Sequence, residues 1–174
     1  YLDKLSKTAE KIGAVNCVTI SKKKKLKGYN TDYHGFKKSI KPLLKDHHKK
    51  ALILGTGGAS KAIAYALRSL KIEYDFVSRT ADEFQYKYEE LDASIFEEYT
   101  IIINTTPVGT HPNVEDFPNL DYSLFTKKHI AYDLIYNPEE TAFLRKAKAQ
   151  GAVTKNGYEM LVLQAEKAWK IWNE

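Results

Sequence analysis

Apolar residues along this chain follow two rhythms. Ala51-Leu52-Ile53-Leu54 and Ile101-Ile102-Ile103 are unbroken apolar runs, the pattern of strands buried on both faces of a parallel sheet. Tyr74 to Ser78 reads as another strand, and Ile130 to Leu134 and Gly151 to Thr154 as weaker ones. Between them the spacing widens to that of helices over Gly58 to Leu70 and Glu139 to Gln150. The second of these has Pro138 near its start and Gly151 at its end. Strand and helix therefore alternate from Ala51 to Thr154, which predicts a doubly wound α/β fold with helices on both faces of the sheet.

The flanks differ in pattern. Leu2, Leu5, Ala9 and Ile12 recur at helical spacing and predict an amphipathic helix over Tyr1 to Gly13. Ala14 to Ile20 then predicts a strand, with Leu26 to Tyr29 as its hairpin partner across a lysine-rich turn. Thr31 or Asp32 can cap a helix carrying Phe36, Ile40, Leu43 and Leu44. Lys45 to Lys50 reads as a charged linker. A last helix spans Gly157 to Trp172, with Leu161, Gln164, Ala165, Ala168 and Ile171 near one face.

Composition narrows the function classes. The 174 residues are 43% hydrophobic, enough for one sizeable core. No apolar run approaches the length of a membrane span, and no basic-then-apolar leader opens the chain, so a cytoplasmic protein is expected. The single cysteine, Cys17, excludes an internal disulfide. The net charge of +5 is spread out, and the densest cluster, Lys22 to Lys25, reads as a solvated turn rather than a nucleic-acid site. The five histidines show no metal-binding spacing, and His47 and His48 are expected to point apart into water. The chain starts at Tyr1 and its one methionine is Met160, which marks it as a piece or a processed product.

Candidate chemistry begins at Gly55-Thr56-Gly57-Gly58-Ala59-Ser60, which joins a buried strand to a helix. Gly55 permits the tight turn and Gly57 lets backbone approach a pyrophosphate. Ser60 is small enough for close packing, and the helix start offers free N–H groups to an anion. The next strand ends in Ser78-Arg79-Thr80, with no acid at the ribose position. Arg79 instead offers donors to a 2′-phosphate, which favours NADP over NAD. An ordinary surface arginine is the plain alternative.

Seven stretches then fall in one order: Gly13-Ala14-Val15-Asn16, Gly28-Tyr29-Asn30-Thr31-Asp32, Gly55 to Ser60, Ser78-Arg79-Thr80, Ile103 to Gly109, Tyr132 to Pro138 and Asn156 to Ala165. Together they resemble the shikimate dehydrogenase family, which reduces 3-dehydroshikimate to shikimate with NADPH in aromatic amino acid and chorismate biosynthesis. The resemblance implies a Rossmann-like NADP-binding domain over 31–155. It implies remnants of an α/β substrate domain at both ends, over 1–30 and in the returning helix of 156–174. It assigns substrate contacts to Asn16, Thr31, Asp32, Tyr136 and Gln164, with Asp32 as the catalytic carboxylate. Cofactor contacts fall to Gly55, Thr56, Gly57, Gly58, Ala59, Ser78, Arg79, Thr80, Thr106, Leu134, Gly157 and Met160. No metal is implied, and the partners are a small-molecule substrate and self-association or a homodimer, with neither nucleic acid nor membrane.

Three departures qualify the match. Glu83 stands where the family carries a second basic residue after the strand-end arginine, and it would repel a 2′-phosphate. Thr110 replaces a frequent methionine. The lysine that partners Asp32 in the family, and its paired carboxylate-binding serines, belong upstream of Asn16 and have no counterpart, so this chain alone is expected to be inactive. Read singly, Asp32 is a helix cap, Asn16 a hairpin end, Gln164 a solvated residue and Tyr136 a packed turn aromatic. The alternatives are a quinate/shikimate dehydrogenase or a non-catalytic NADP-binding module.

Overall fold

The computed structural model describes residues 1–173. Its main sheet has five parallel strands: β4 (Lys50–Leu54), β5 (Glu73–Val77), β6 (Ile101–Asn104), β7 (Ile130–Asp133) and β8 (Val153–Lys155). They lie in the order β5-β4-β6-β7-β8. The chain leaves β4 toward β5 on one side and returns to β6 on the other. The carboxyl ends of β4 and β6 thus flank a topological switch point, where open α/β sheets bind ligands.

The strand alternation explains the two cores. Ala51, Ile53, Ile101 and Ile103 face one side of the sheet with Phe36, Ile63, Leu67 and Met160. These last four come from α2 (Asp32–Ile40), α3 (Gly58–Ser69) and α6 (Tyr158–Asn173). Leu52, Leu54, Ile102 and Ala131 face the other side with Phe96, Phe143 and Leu144, which lie on α4 (Ala93–Glu98) and α5 (Ala142–Ala149). Both faces of β4 and β6 are buried, as their unbroken apolar runs require.

A smaller sheet precedes this one. β2 (Cys17–Ile20) and β3 (Leu26–Tyr29) form the antiparallel hairpin, and β1 (Lys4–Leu5) pairs parallel to β3 on its far edge. The helix expected from Tyr1 to Gly13 is confined to α1 (Lys7–Ile12). Ser6 explains the difference: its hydroxyl accepts the Ala9 N–H at 3.1 Å and starts the helix there, leaving Lys4–Leu5 extended. In the same way Thr141 accepts the Leu144 N–H and delays α5 to Ala142, three residues after the expected start.

The segment 45–49 departs further from expectation. His47 and His48 do not point apart into water. Both Nε2 atoms converge on the Lys128 carbonyl, at 3.1 and 3.0 Å, and His48 is buried. The Lys45 N–H donates to His48 Nδ1 at 2.8 Å, a local turn that draws the ring inward. No helix among the described residues is long and apolar enough to cross a membrane.

Candidate functional site

A cleft of about 780 Å³ opens at the carboxyl ends of β4, β5 and β6. Gly55, Thr56 and Gly57 form one wall, Ser78, Arg79 and Thr80 a second, and Thr105 to Val108 a third. Gly55 has φ +97°, and a Cβ there would lie 2.9 Å from the Thr106 side chain, so only glycine fits. Thr105 Oγ1 donates to the Leu54 carbonyl at 2.6 Å, fastening this loop to the glycine turn. A Cβ on Gly57 would meet nothing within 4 Å, so this stretch of backbone has open space beside it.

Gly57 caps α3 without a side-chain acceptor, so no side-chain cap occupies the first-turn N–H groups. These donors and the positive end of the helix dipole suit an anion. Ser60 is buried, and its hydroxyl donates to the Gly57 carbonyl at 2.6 Å, holding the turn closed. Arg79 is exposed, lines the cleft and forms no ion pair among the described residues. A cleft with bare backbone donors, a glycine cradle and a free guanidinium fits a dinucleotide with an additional phosphate.

A second constellation joins the small sheet to α2 and α6. The Asn16 amide donates to Asp32 Oδ1 at 2.7 Å and to Thr31 Oγ1 at 3.1 Å. The Thr31 N–H returns to Asn16 Oδ1 at 2.8 Å, and the Thr31 hydroxyl donates to Gln164 Oε1 at 3.0 Å. Thr31 occupies the cap position of α2 but makes no side-chain cap bond, because its hydroxyl is committed to this cluster. Asn30 accepts the Tyr33 N–H instead, at 3.3 Å. Asp32 opens the helix rather than capping it. Burial raises its carboxyl above the usual range, and the Asn16 bond opposes that rise.

The four residues Asn16, Thr31, Asp32 and Gln164 are thus brought together from separate parts of the chain. Tyr136 is not joined to them: it lies in the loop after β7, 49% exposed, with no hydrogen bond among the described residues. Of the expected cofactor residues, Gly55, Thr56, Gly57, Ser78, Arg79, Thr80 and Thr106 line the cleft. Gly58 and Ala59 begin α3 beside it. Leu134, Gly157 and Met160 lie where β7 meets α6, outside the cleft lining. A Cβ on Gly157 would overlap the Leu134 carbonyl, so close backbone approach accounts for that glycine. Met160 is buried in the core with Phe36 and Tyr132. Gln164 stands seven residues after Gly157, about 10 Å along α6.

Two groups escaped sequence reasoning. Tyr88, Glu89 and Phe117 to Asn119 also line the cleft, the first two on a single 3-10 turn and the others in a loop, without periodicity. Beneath the cleft, Asn104 and Asp133 end adjacent strands and bond at 3.0 Å, Nδ2 donating to Oδ1. Asn104 Oδ1 accepts the Thr106 N–H and hydroxyl at 3.0 and 2.6 Å. Asp133 accepts the Ile135 N–H at 3.1 Å and the Thr141 hydroxyl at 2.7 Å. Burial pushes the Asp133 carboxyl up to about 6, against these three donors.

No family model matches the chain. It is 42% identical over 190 residues to the shikimate dehydrogenase (NADP(+)) of Caldanaerobacter subterraneus subsp. tengcongensis, covering 99% of this chain and 66% of the relative. It is 40% identical over 188 residues to that of Bacillus cereus strain AH187, covering 99% and 67%. Among solved structures, the shikimate 5-dehydrogenase of Thermus thermophilus in complex with NADP(H) and shikimate superposes with a TM-score of 0.83 at 36% identity. That alignment covers 98% of this chain and 66% of the other. The chain spans about two thirds of the length of the curated relatives it matches.

Proposed function

The chain belongs to the shikimate dehydrogenase family, and from that premise we propose that it carries the NADP-binding cleft and part of the substrate site of an enzyme interconverting 3-dehydroshikimate and shikimate. The observation that carries the reading is the switch-point cleft, walled by the Gly55–Gly57 turn and by Arg79, which has no ion pair among the described residues. Its relatives are named for the same cofactor.

Bound NADPH supplies the hydride for reduction of the ketone. The glycine turn and the first N–H groups of α3 take the pyrophosphate, and Arg79 takes the 2′-phosphate. Asn16 and Gln164 carry neutral amides that both donate and accept, which suits vicinal hydroxyls. Their present bonds to Thr31 and Asp32 set these amides in place. Asp32 lies at the same point and forms no ion pair among the described residues. Its burial favours a proton or a cationic partner. The lysine that the resemblance implies as that partner has no counterpart within the sequence.

Calorimetric titration with NADP and with NAD tests the reading. The native chain binds NADP more tightly than NAD, and Arg79→Ala weakens NADP about tenfold or more while changing NAD far less. Binding of neither nucleotide, or equal weakening of both by Arg79→Ala, overturns it.

A further inference from the structure

The lining of the cleft carries two charged side chains of opposite sign. Arg79 and Glu89 both line it, both are exposed, and neither forms an ion pair among the described residues. Backbone pairing carries both segments to the cleft. Tyr86 bridges Val77 in parallel, its carbonyl accepts the Ser78 N–H at 2.9 Å, and its N–H donates to the Phe76 carbonyl at 2.9 Å. This single bridge precedes the 3-10 turn Tyr88–Glu90, which brings Tyr88 and Glu89 to the cleft lining. The neighbouring Glu90 is committed elsewhere, accepting the Lys87 N–H at 2.7 Å. Tyr88 is half-buried and lines the same cleft as Arg79.

Glu83, the acid that sequence position marks as the competitor of a 2′-phosphate, is exposed and absent from the cleft lining. Asp82 accepts the Phe84 N–H at 3.0 Å and the Gln85 amide at 2.8 Å, folding 82–85 into its own turn.

We infer that Glu89 is a specificity-determining residue, whose carboxylate opposes a 2′-phosphate in the cleft and narrows the margin between NADP and NAD. The inference rests on the reading of this cleft as an NADP site. A phosphate monoester carries between one and two negative charges near neutrality. A carboxylate sharing its wet pocket repels it by a modest, salt-dependent amount. The unphosphorylated nucleotide has no charge at that point and is indifferent to Glu89. Removing the carboxylate leaves Arg79 unopposed.

The experiment is calorimetric titration of NADP and NAD into the native chain, Glu89→Gln and Glu83→Gln, at low and high salt. Glu89→Gln tightens NADP about three- to tenfold and leaves NAD within about twofold, and the gain shrinks in high salt. Glu83→Gln leaves both within about twofold. An unchanged NADP affinity in Glu89→Gln, an equal change for both nucleotides, or the same gain from Glu83→Gln overturns the inference while the NADP reading stands. Failure of the native chain to bind either nucleotide overturns that reading, and the inference with it, before any variant is made.

Discussion

Asp133 ends β7 out of contact with solvent, and three donors converge on its carboxyl group. The donors favour the charged form and burial favours the neutral one; burial wins and lifts the group to about 6. A carboxyl raised above its unfolded value favours the fold most below about 4, and that advantage is lost as pH rises through about 6. Asp133→Asn has no charge to bury. It keeps an acceptor for Asn104 and Ile135, and the Thr141 hydroxyl can turn to accept. Urea unfolding of both proteins from pH 4 to 7 therefore shows Asp133→Asn gaining on the native chain by about 2–3 kcal/mol as pH rises. A gap independent of pH would mean that Asp133 does not titrate in this range.

The contact between α2 and α6 turns on Gly35. A Cβ there would overlap the Met160 carbonyl and lie 3.1 Å from the Gln164 N, both backbone atoms of the facing helix. Backbone yields only by moving the whole helix, so Gly35→Ala costs about 1–3 kcal/mol in urea unfolding. It also parts Thr31 from Gln164, whose bond spans the same pair of helices. Native stability in this variant would show that the helices separate freely.

Nothing in the sequence marks Gly35 in this way, since a glycine within a helical pattern looks like a weakness. Much else at this scale was legible. The apolar runs at Ala51 and Ile101 gave two central strands, and the spacing after Gly57 gave α3. The two-residue β1 and the six-residue α4 were not legible, because each is too short to display a period of its own. The site divides likewise. Gly55 and Arg79 announce themselves by position after strands, whereas Asn16, Thr31, Asp32 and Gln164 gained meaning only through the family resemblance. Tyr88 and Glu89 reach the cleft through one bridge at Tyr86 that no local pattern foretells.

At the scale of the whole molecule, the apolar surface is uneven. Ile20 is 71% exposed, Trp169 66% and Trp172 57%, with Val18 and Val162 partly exposed in the same elements, β2 and α6. The Trp172 Nε1–H donates to the Val18 carbonyl at 3.0 Å, so the end of α6 and β2 share a face. Clustered exposed aromatics and aliphatics of this kind mark association surfaces. Sedimentation velocity is expected to show the weight-average coefficient of the chain rising with concentration, and Ile20→Lys with Trp169→Glu lowering that rise. A single monomeric species at every concentration would refute it.

The packing of α2 against α6 bears on how such a protein can be rebuilt. The chain leaves α2 at Ile40, runs through all five strands of the main sheet, and comes back as α6 against the helix it left. The span between them therefore begins and ends on one packed helix pair, which also gives Phe36, Ile40 and Met160 to the core of the main sheet. The cleft lies wholly within that span, whereas Asn16, Thr31, Asp32 and Gln164 lie before it or on its two flanking helices. On the function proposed above, a graft of this span would carry cofactor choice with it and leave the proposed substrate residues where they are.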